Sequence, residues 1–261
     1  MRKFFLALYT FWAAFWFIFL YLLIFPFQYL CLQRASWKHY AHQLNRLWGH
    51  VFFLLIGMSI RIRYEGKQPD PNKAYVFCAN HFSYLDIAVL MVVIKNYFAY
   101  MGKSDIVGIP LFGYMFSKLH IQVDRGSTSS RMGALKRSLQ ALQSQRSIMI
   151  FPEGGIKAKH PPQLYPQFQK GAFVMAIEYQ VPVVPITQLN NHQLMPDVLP
   201  LRLRPGTVWI VMHEPIDTTG MTQQDVEPLK DRIYQLLQDT LNQHQQHPQH
   251  HKHLFRKLTL I

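Results

Sequence analysis

From Phe4 to Phe25 the chain runs for 22 residues in which Thr10 is the only side chain that is neither aliphatic nor aromatic. As an α-helix such a stretch covers roughly 30 Å of hydrocarbon, so it suits a bilayer better than the interior of a small domain. A cleaved signal peptide is the competing reading. The run is longer than a usual signal core, however, and aromatic residues, Pro26 and Gln28 follow it where a small-residue cleavage site would stand. Further on, Trp37, Tyr40, Leu44, Leu47, Trp48 and Val51 recur at helical spacing against Lys38, His39, His42 and Arg46. That pattern predicts an amphipathic helix between Trp37 and Ile60, lying on a membrane or packed against a globular domain. Residues 1–58 therefore read as membrane-anchoring helices, 59–241 as a catalytic or binding domain, and 242–261 as a Gln/His-rich basic tail.

Charge points the same way. Lys and Arg number 27 against 14 Asp and Glu, a net +13 that draws the chain toward anionic lipid surfaces and anionic substrates. Nucleic acid is the other partner of a basic protein, but no recognition module is present and the N-terminus points to lipid, so none is expected. The two cysteines, Cys31 and Cys78, sit beside the membrane segment and in an apolar run, which argues against a disulfide or a metal site and fits a reducing compartment. His244, His247, His250, His251 and His253 crowd the tail. No carboxylate or cysteine fixes a ligand geometry around them, so a solvated tail is the simpler reading than metal binding.

The middle of the chain alternates strand and helix signals, predicting an α/β domain with a mixed sheet flanked by helices. Ala74–Ala79, Ile121–Val123, Ile148–Ile150 and Val208–Met212 are short apolar runs of strand type, and Arg61–Tyr64 alternates. Met132, Leu135, Leu139 and Leu142 mark one helix, and Val226, Leu229, Ile233, Leu236, Leu237 and Leu241 an amphipathic closing helix.

Chemistry concentrates just after the first apolar strand, in Asn80-His81-Phe82-Ser83-Tyr84-Leu85-Asp86. A neutral imidazole can take a proton from an alcohol, and a carboxylate on its other nitrogen fixes the tautomer and steadies the imidazolium. Ser83 and Asp86 equally fit a helix capping box, with Ser83 capping and Asp86 reaching back. Two further strand ends are suggestive. Phe151-Pro152-Glu153-Gly154-Gly155 is a glycine-rich turn able to approach a ligand or serve as an ordinary β-turn. Val123-Asp124-Arg125 ends in a guanidinium suited to phosphate, unless it pairs with Asp124 or is solvated.

Taken in order, His81 to Asp86, Val123-Asp124-Arg125, Phe151-Pro152-Glu153-Gly154 and Val181-Pro182-Val183-Val184-Pro185-Ile186 resemble the four blocks of the glycerolipid acyltransferases, in particular the 1-acyl-sn-glycerol-3-phosphate acyltransferases. The likeness covers about residues 60–215 and takes in Gly108–Gly113 and Phe168–Phe173. It implies transfer of a fatty acyl group from acyl-CoA or acyl-carrier protein to the sn-2 hydroxyl of a lysophospholipid, giving phosphatidic acid without an acyl-enzyme. By that resemblance His81 is the base, Asp86 orients it, Arg125 holds the acceptor phosphate, and Glu153 and Gly154 shape the same site. The fourth block belongs to the donor side or to structural support. No metal or organic cofactor is implied; the thioester is a substrate.

One departure stands out. The third block commonly reads Phe-Pro-Glu-Gly-Thr-Arg, and here Gly155 and Ile156 occupy the last two places. Lys157, Lys159 or Lys170 could supply a point charge instead, without the planar fork of arginine. Other lysolipids, such as a lyso-ornithine lipid or lysophosphatidylethanolamine, therefore stay open as acceptors. So does a non-catalytic lipid-binding protein of the same fold. A serine hydrolase is disfavoured, since the chain has no Gly-x-Ser-x-Gly elbow. Arg2 and Lys3 favour a cytoplasmic N-terminus, and one full crossing from there would carry the site away from a cytoplasmic thioester. A re-entrant pair of helices, or a crossing that starts outside, keeps the site on the cytoplasmic face, as expected for a bacterial inner membrane.

Overall fold

The computed structural model describes residues 1–124, 126–246 and 255–258. Arg125, expected as a phosphate contact, and the tail histidines His247, His250, His251 and His253 lie outside the described residues.

Two long helices open the chain, α1 (Arg2–Leu32) and α2 (Lys38–Leu55), joined by a short 3-10 turn at Ala35–Trp37. They pack antiparallel, and polar side chains tie them where apolar contact alone has little direction. Trp48 Nε1 donates to Phe17 O at 3.1 Å, Tyr9 Oη to Ile56 O at 2.8 Å, and Gln28 Nε2 to Asn45 Oδ1 at 2.7 Å. The outer side of α1 is left bare, with Phe4, Leu8, Phe11, Ile18, Leu22 and Phe27 all exposed. Among the described residues one helix, over Lys3–Leu32, is long and apolar enough to cross a membrane. The amphipathic pattern predicts a helix reaching Ile60, but α2 stops earlier. Gly57 takes φ +68° there, its N–H bonds Leu54 O and that of Met58 bonds Phe53 O, the paired bonds of a glycine-terminated helix end.

The following domain is a mixed sheet. Its strands are β1 (Ser59–Tyr64), β2 (Val76–Ala79), β3 (Phe98–Lys103), β4 (Ile121–Val123), β5 (Ser147–Ile150), β6 (Val183–Gln188), β7 (Thr207–Met212) and β8 (Arg256–Lys257). Among the described residues they lie in the order β4-β3-β5-β2-β6-β7-β1-β8. The run from β4 to β6 is parallel; β7 is antiparallel to β6, β1 parallel to β7, and β8 antiparallel to β1. Alternate side chains divide the core into two layers. Phe77, Ala79, Phe98 and Met149 face α1, α2, α3 (Leu85–Val93) and α4 (Phe112–Leu119). Val76, Cys78, Ala99 and Ile148 face α5 (Thr128–Gln143), α6 (Gly171–Glu178) and α8 (Val226–Gln246). A short helix, α7 (Asn191–Leu194), follows β6.

This order creates the site. After β2 the chain leaves through α3 on one face to reach β3; after β5, the neighbour of β2, it leaves through α6 on the other face to reach β6. The two loops part in opposite directions, opening a crevice at the carboxyl ends of the strands, where ligands bind in open α/β sheets. The tail is less separate than its composition implies. α8 continues to Gln246, and Phe255 returns to bury itself against Trp209 beside the β8–β1 pair.

Gly113 tests the close packing of the turn before α4. A Cβ there would stand 2.0 Å from Val107 O and 2.5 Å from Val107 C, both backbone atoms that cannot swing aside. Gly113→Ala should cost about 1–3 kcal/mol, in the range of overpacked cores, and lower the thermal midpoint. An unchanged midpoint would mean that the 107–113 turn is looser than described.

Candidate active site

His81 stands at the exit of β2 and is held from three sides. Its backbone N–H donates to Glu153 Oε1 at 2.6 Å. Its ring lies flat on Phe151, with centroids 4.0 Å apart and planes at 15°. Its Nδ1 meets Asp86 Oδ2 at 2.9 Å. Asp86 is wholly buried in the first turn of α3, and Oδ2 also accepts from the N–H groups of Phe82 at 2.7 Å and Ser83 at 2.9 Å. Its other oxygen accepts from Asn191 Nδ2 at 2.8 Å. With every neighbour donating, the carboxylate acts as acceptor, so the proton of the imidazole sits on Nδ1 and the lone pair on Nε2. Asp86 thus orients His81 and reaches back in the capping pattern at once, while Ser83 also serves the helix start. Ser83 Oγ accepts from Leu85 N and donates to Met195 O, while the reach back to the Ser83 N–H is made by the same Asp86 oxygen that holds His81.

Glu153 closes the other side. It is fully buried, and its two oxygens accept from the backbone of His81 and, at 3.1 Å, of Tyr165, so it joins the β2 exit to the loop ahead of α6. Gly154 follows at φ +77°, a conformation that favours glycine, and its N–H closes a turn on Phe151 O. Lys157 places its Nζ over the Tyr165 ring, 5.2 Å from the centroid, beside this turn. Lys170 points elsewhere, its Nζ paired with Glu227 of α8 at 2.5 Å. Asp124 is engaged locally, accepting from Gly126 N at 2.9 Å.

An apolar cavity of about 740 Å³ adjoins His81. Phe17 of α1, Trp48 and Phe52 of α2, Ala88 of α3 and Phe116 of α4 line it, so the two N-terminal helices are part of the site. Gly155 and Ile156, which stand where the resemblance leads one to expect Thr and Arg, are in its wall. Among the described residues no cluster of His, Cys, Asp or Glu has the makings of a metal site.

Sequence patterns identify His81, Asp86 and Glu153, whose spacing is local or block-like. They miss Asn80, Gln188 and Asn191. Asn80 and Gln188 lock the ends of β2 and β6 through three hydrogen bonds, Asn80 Nδ2 to Gln188 O, Gln188 N to Asn80 Oδ1 and Gln188 Nε2 to Asn80 O, at 3.0, 2.7 and 3.0 Å. Polar residues at both strand ends were the available signal.

Burial pushes the Glu153 carboxyl up to about 7, against the opposing pull of the His81 and Tyr165 N–H donors. The folded protein therefore retains a proton that the unfolded chain releases near 4.5. This stabilisation is fully present below about 4.5 and lost as pH rises through about 7, amounting to about 3 kcal/mol. Glu153→Gln should abolish that part of the pH dependence in detergent-solubilised unfolding measurements. It should also cost about 1–3 kcal/mol, because an amide offers one acceptor where two buried N–H groups need one each. Parallel pH profiles for wild type and variant would contradict both the burial and the proton.

Comparison with known proteins agrees with this architecture. The family model described as Acyltransferase matches residues 61–188. The chain is 30% identical over 182 residues to the chloroplastic 1-acyl-sn-glycerol-3-phosphate acyltransferase LPAT1 of Arabidopsis thaliana, covering 69% of this chain and 49% of the relative. It is 29% identical over 226 residues to 1-acyl-sn-glycerol-3-phosphate acyltransferase alpha of Homo sapiens, covering 84% and 75%. The chain thus spans about half the length of the chloroplast relative. The fold matches the crystal structure of the 1-acyl-sn-glycerophosphate (LPA) acyltransferase PlsC from Thermotoga maritima, with a TM-score of 0.74 at 20% identity over 94% of this chain and 98% of that one. With the matched blocks lying on the strand ends that build the His81 site, the chain belongs to the acyltransferase family.

Proposed function

We propose that the protein is a 1-acylglycerol-3-phosphate O-acyltransferase of phospholipid biosynthesis, moving a fatty acyl group from acyl-CoA or acyl-carrier protein to the sn-2 hydroxyl of 1-acyl-glycerol-3-phosphate. One observation carries the reading: a buried Asp86–His81 pair borders a large apolar cavity and has no nucleophile of its own. Among the described residues the hydrogen bonds of His81 go to Glu153 and Asp86, and none to a Ser, Thr or Cys side chain. The acceptor hydroxyl fits that vacant role. His81 Nε2 takes its proton as the oxygen attacks the thioester carbonyl; the C–S bond then breaks, and the departing thiolate takes the proton back from His81. Base catalysis of this kind contributes about 10²- to 10⁴-fold. The cavity would take an acyl chain, since it is lined mainly by apolar side chains and has a volume usual for ligand sites.

The bare outer face of α1 supports a membrane location. With α2 packed on the catalytic domain, a re-entrant hairpin holds the crevice against the cytoplasmic leaflet of a bacterial inner membrane, where thioester donors are made. Acceptor phosphate would be met by Arg125, with Lys157 beside the Glu153–Gly154 turn as a second charge. A different lysolipid acceptor is the alternative reading, favoured by one observation, the presence of Gly155 and Ile156 in the cavity wall.

Purified protein in mixed micelles with labelled acyl-CoA or acyl-carrier protein and a panel of lysolipids tests this. Lysophosphatidic acid should be the best acceptor, and His81→Ala should reduce its acylation by at least about 10²-fold. Preference for lysophosphatidylethanolamine or a lyso-ornithine lipid would shift the acceptor assignment. Turnover of no acceptor would favour a lipid-binding protein.

A further inference from the structure

Asp86 Oδ2 is crowded by three donors, whereas among the described residues Oδ1 has Asn191 as its hydrogen-bond partner. Asn191 is itself wholly buried, and its amide nitrogen is fully used: one hydrogen goes to Asp86 Oδ1 at 2.8 Å, the other to Gln188 Oε1 at 2.9 Å. Gln188 cannot turn away, because its own amide nitrogen donates to Asn80 O at 3.0 Å. Both acceptors facing Asn191 are oxygens, so the side chain can stand only one way round, with Nδ2 toward Asp86. The result is a chain of neutral amides from Asn80 through Gln188 and Asn191 to Asp86 and His81, fastened to the ends of β2 and β6.

We propose that Asn191 is a positioning residue for the His–Asp pair. It holds Asp86 by the oxygen remote from His81, so that Oδ2 stays aligned with Nδ1, and it gives the buried carboxylate a neutral donor that stabilises its charge. Without it Oδ1 is buried and unpartnered, and the carboxylate regains rotation or takes up a proton. Either change loosens the imidazole and weakens the imidazolium formed during transfer. The inference rests on the acyl-transfer reading above, and places in the fourth block region a residue that acts on the first.

Three measurements test it, each beside active wild-type enzyme. Inactive wild type with every acceptor would sink the acyl-transfer reading, whereas active wild type with indifferent variants would sink only this inference. Asn191→Leu should lower kcat about 10- to 100-fold, the scale seen when an outer partner of a functional side chain is removed, with KM for donor and acceptor nearly unchanged. In an Asp86→Ala background the same substitution should cause little further loss, since the group it acts through is gone. Multiplicative losses would assign Asn191 a general structural role. Asn191→Asp keeps the shape and serves if the leucine variant fails to fold. Protonated, the new carboxyl still donates to Asp86; ionised, it repels it. Activity should therefore fall as pH rises through a new titration absent from wild type, and a pH profile of wild-type shape would overturn the proposal.

Discussion

The carboxylate of Asp86 is the hub on which the site depends. It is wholly buried and accepts four hydrogen bonds, from the His81 ring, two consecutive backbone N–H groups and the Asn191 amide. Burying a charge is costly unless it is so surrounded, and here each donor belongs to a different need of the fold. The backbone donors precede α3, the amide joins α3 to α7 just beyond β6, and the imidazole is the one partner that borders the cavity. A single carboxylate thus reaches back to the backbone before α3, ties that turn to α7 and holds the imidazole.

Glu153 is the counterpart across the crevice. Asp86 fixes the ring of His81, Glu153 fixes its backbone, and Phe151 fixes its plane. The three constraints come from α3 and the exit of β5, elements that leave the sheet on opposite faces at the switch point. The same topology sets the apolar cavity on the α1–α4 side, where the two N-terminal helices supply part of the wall. The two N-terminal helices and the candidate site are thus built together, with Phe17, Trp48 and Phe52 in the wall that His81 borders.

Much of this was legible in the sequence because it is local. Apolar runs of strand length mark β2 and β5, and a five-residue spacing sets His81 and Asp86 on either side of a helix start. The bare α1 is announced by Phe4–Phe25. What could not be read are contacts that chain distance hides. Asn191 lies 105 residues from Asp86, and Gln188 lies 108 from Asn80. No periodicity links them; only the β2–β6 pairing does. The capping pattern was legible but ambiguous, since Asp86 fits a capping box with Ser83 and an orienting pair with His81. The structure shows one Asp86 oxygen serving both. Gly57 ends α2 before the predicted Ile60 through a positive φ that the apolar pattern around it does not reveal.

The most direct test of this account is the rate of Asp86→Asn under saturating donor, with thermal unfolding measured alongside. The amide keeps the size of the carboxylate but not its charge or its capacity to accept throughout, so Nδ1 of His81 loses its acceptor or takes the other tautomer. The account predicts that acylation falls about 10²- to 10⁴-fold while most of the protein remains folded at the assay temperature. A folded variant that transfers acyl groups at the wild-type rate would contradict it, and would reduce Asp86 to the cap of α3.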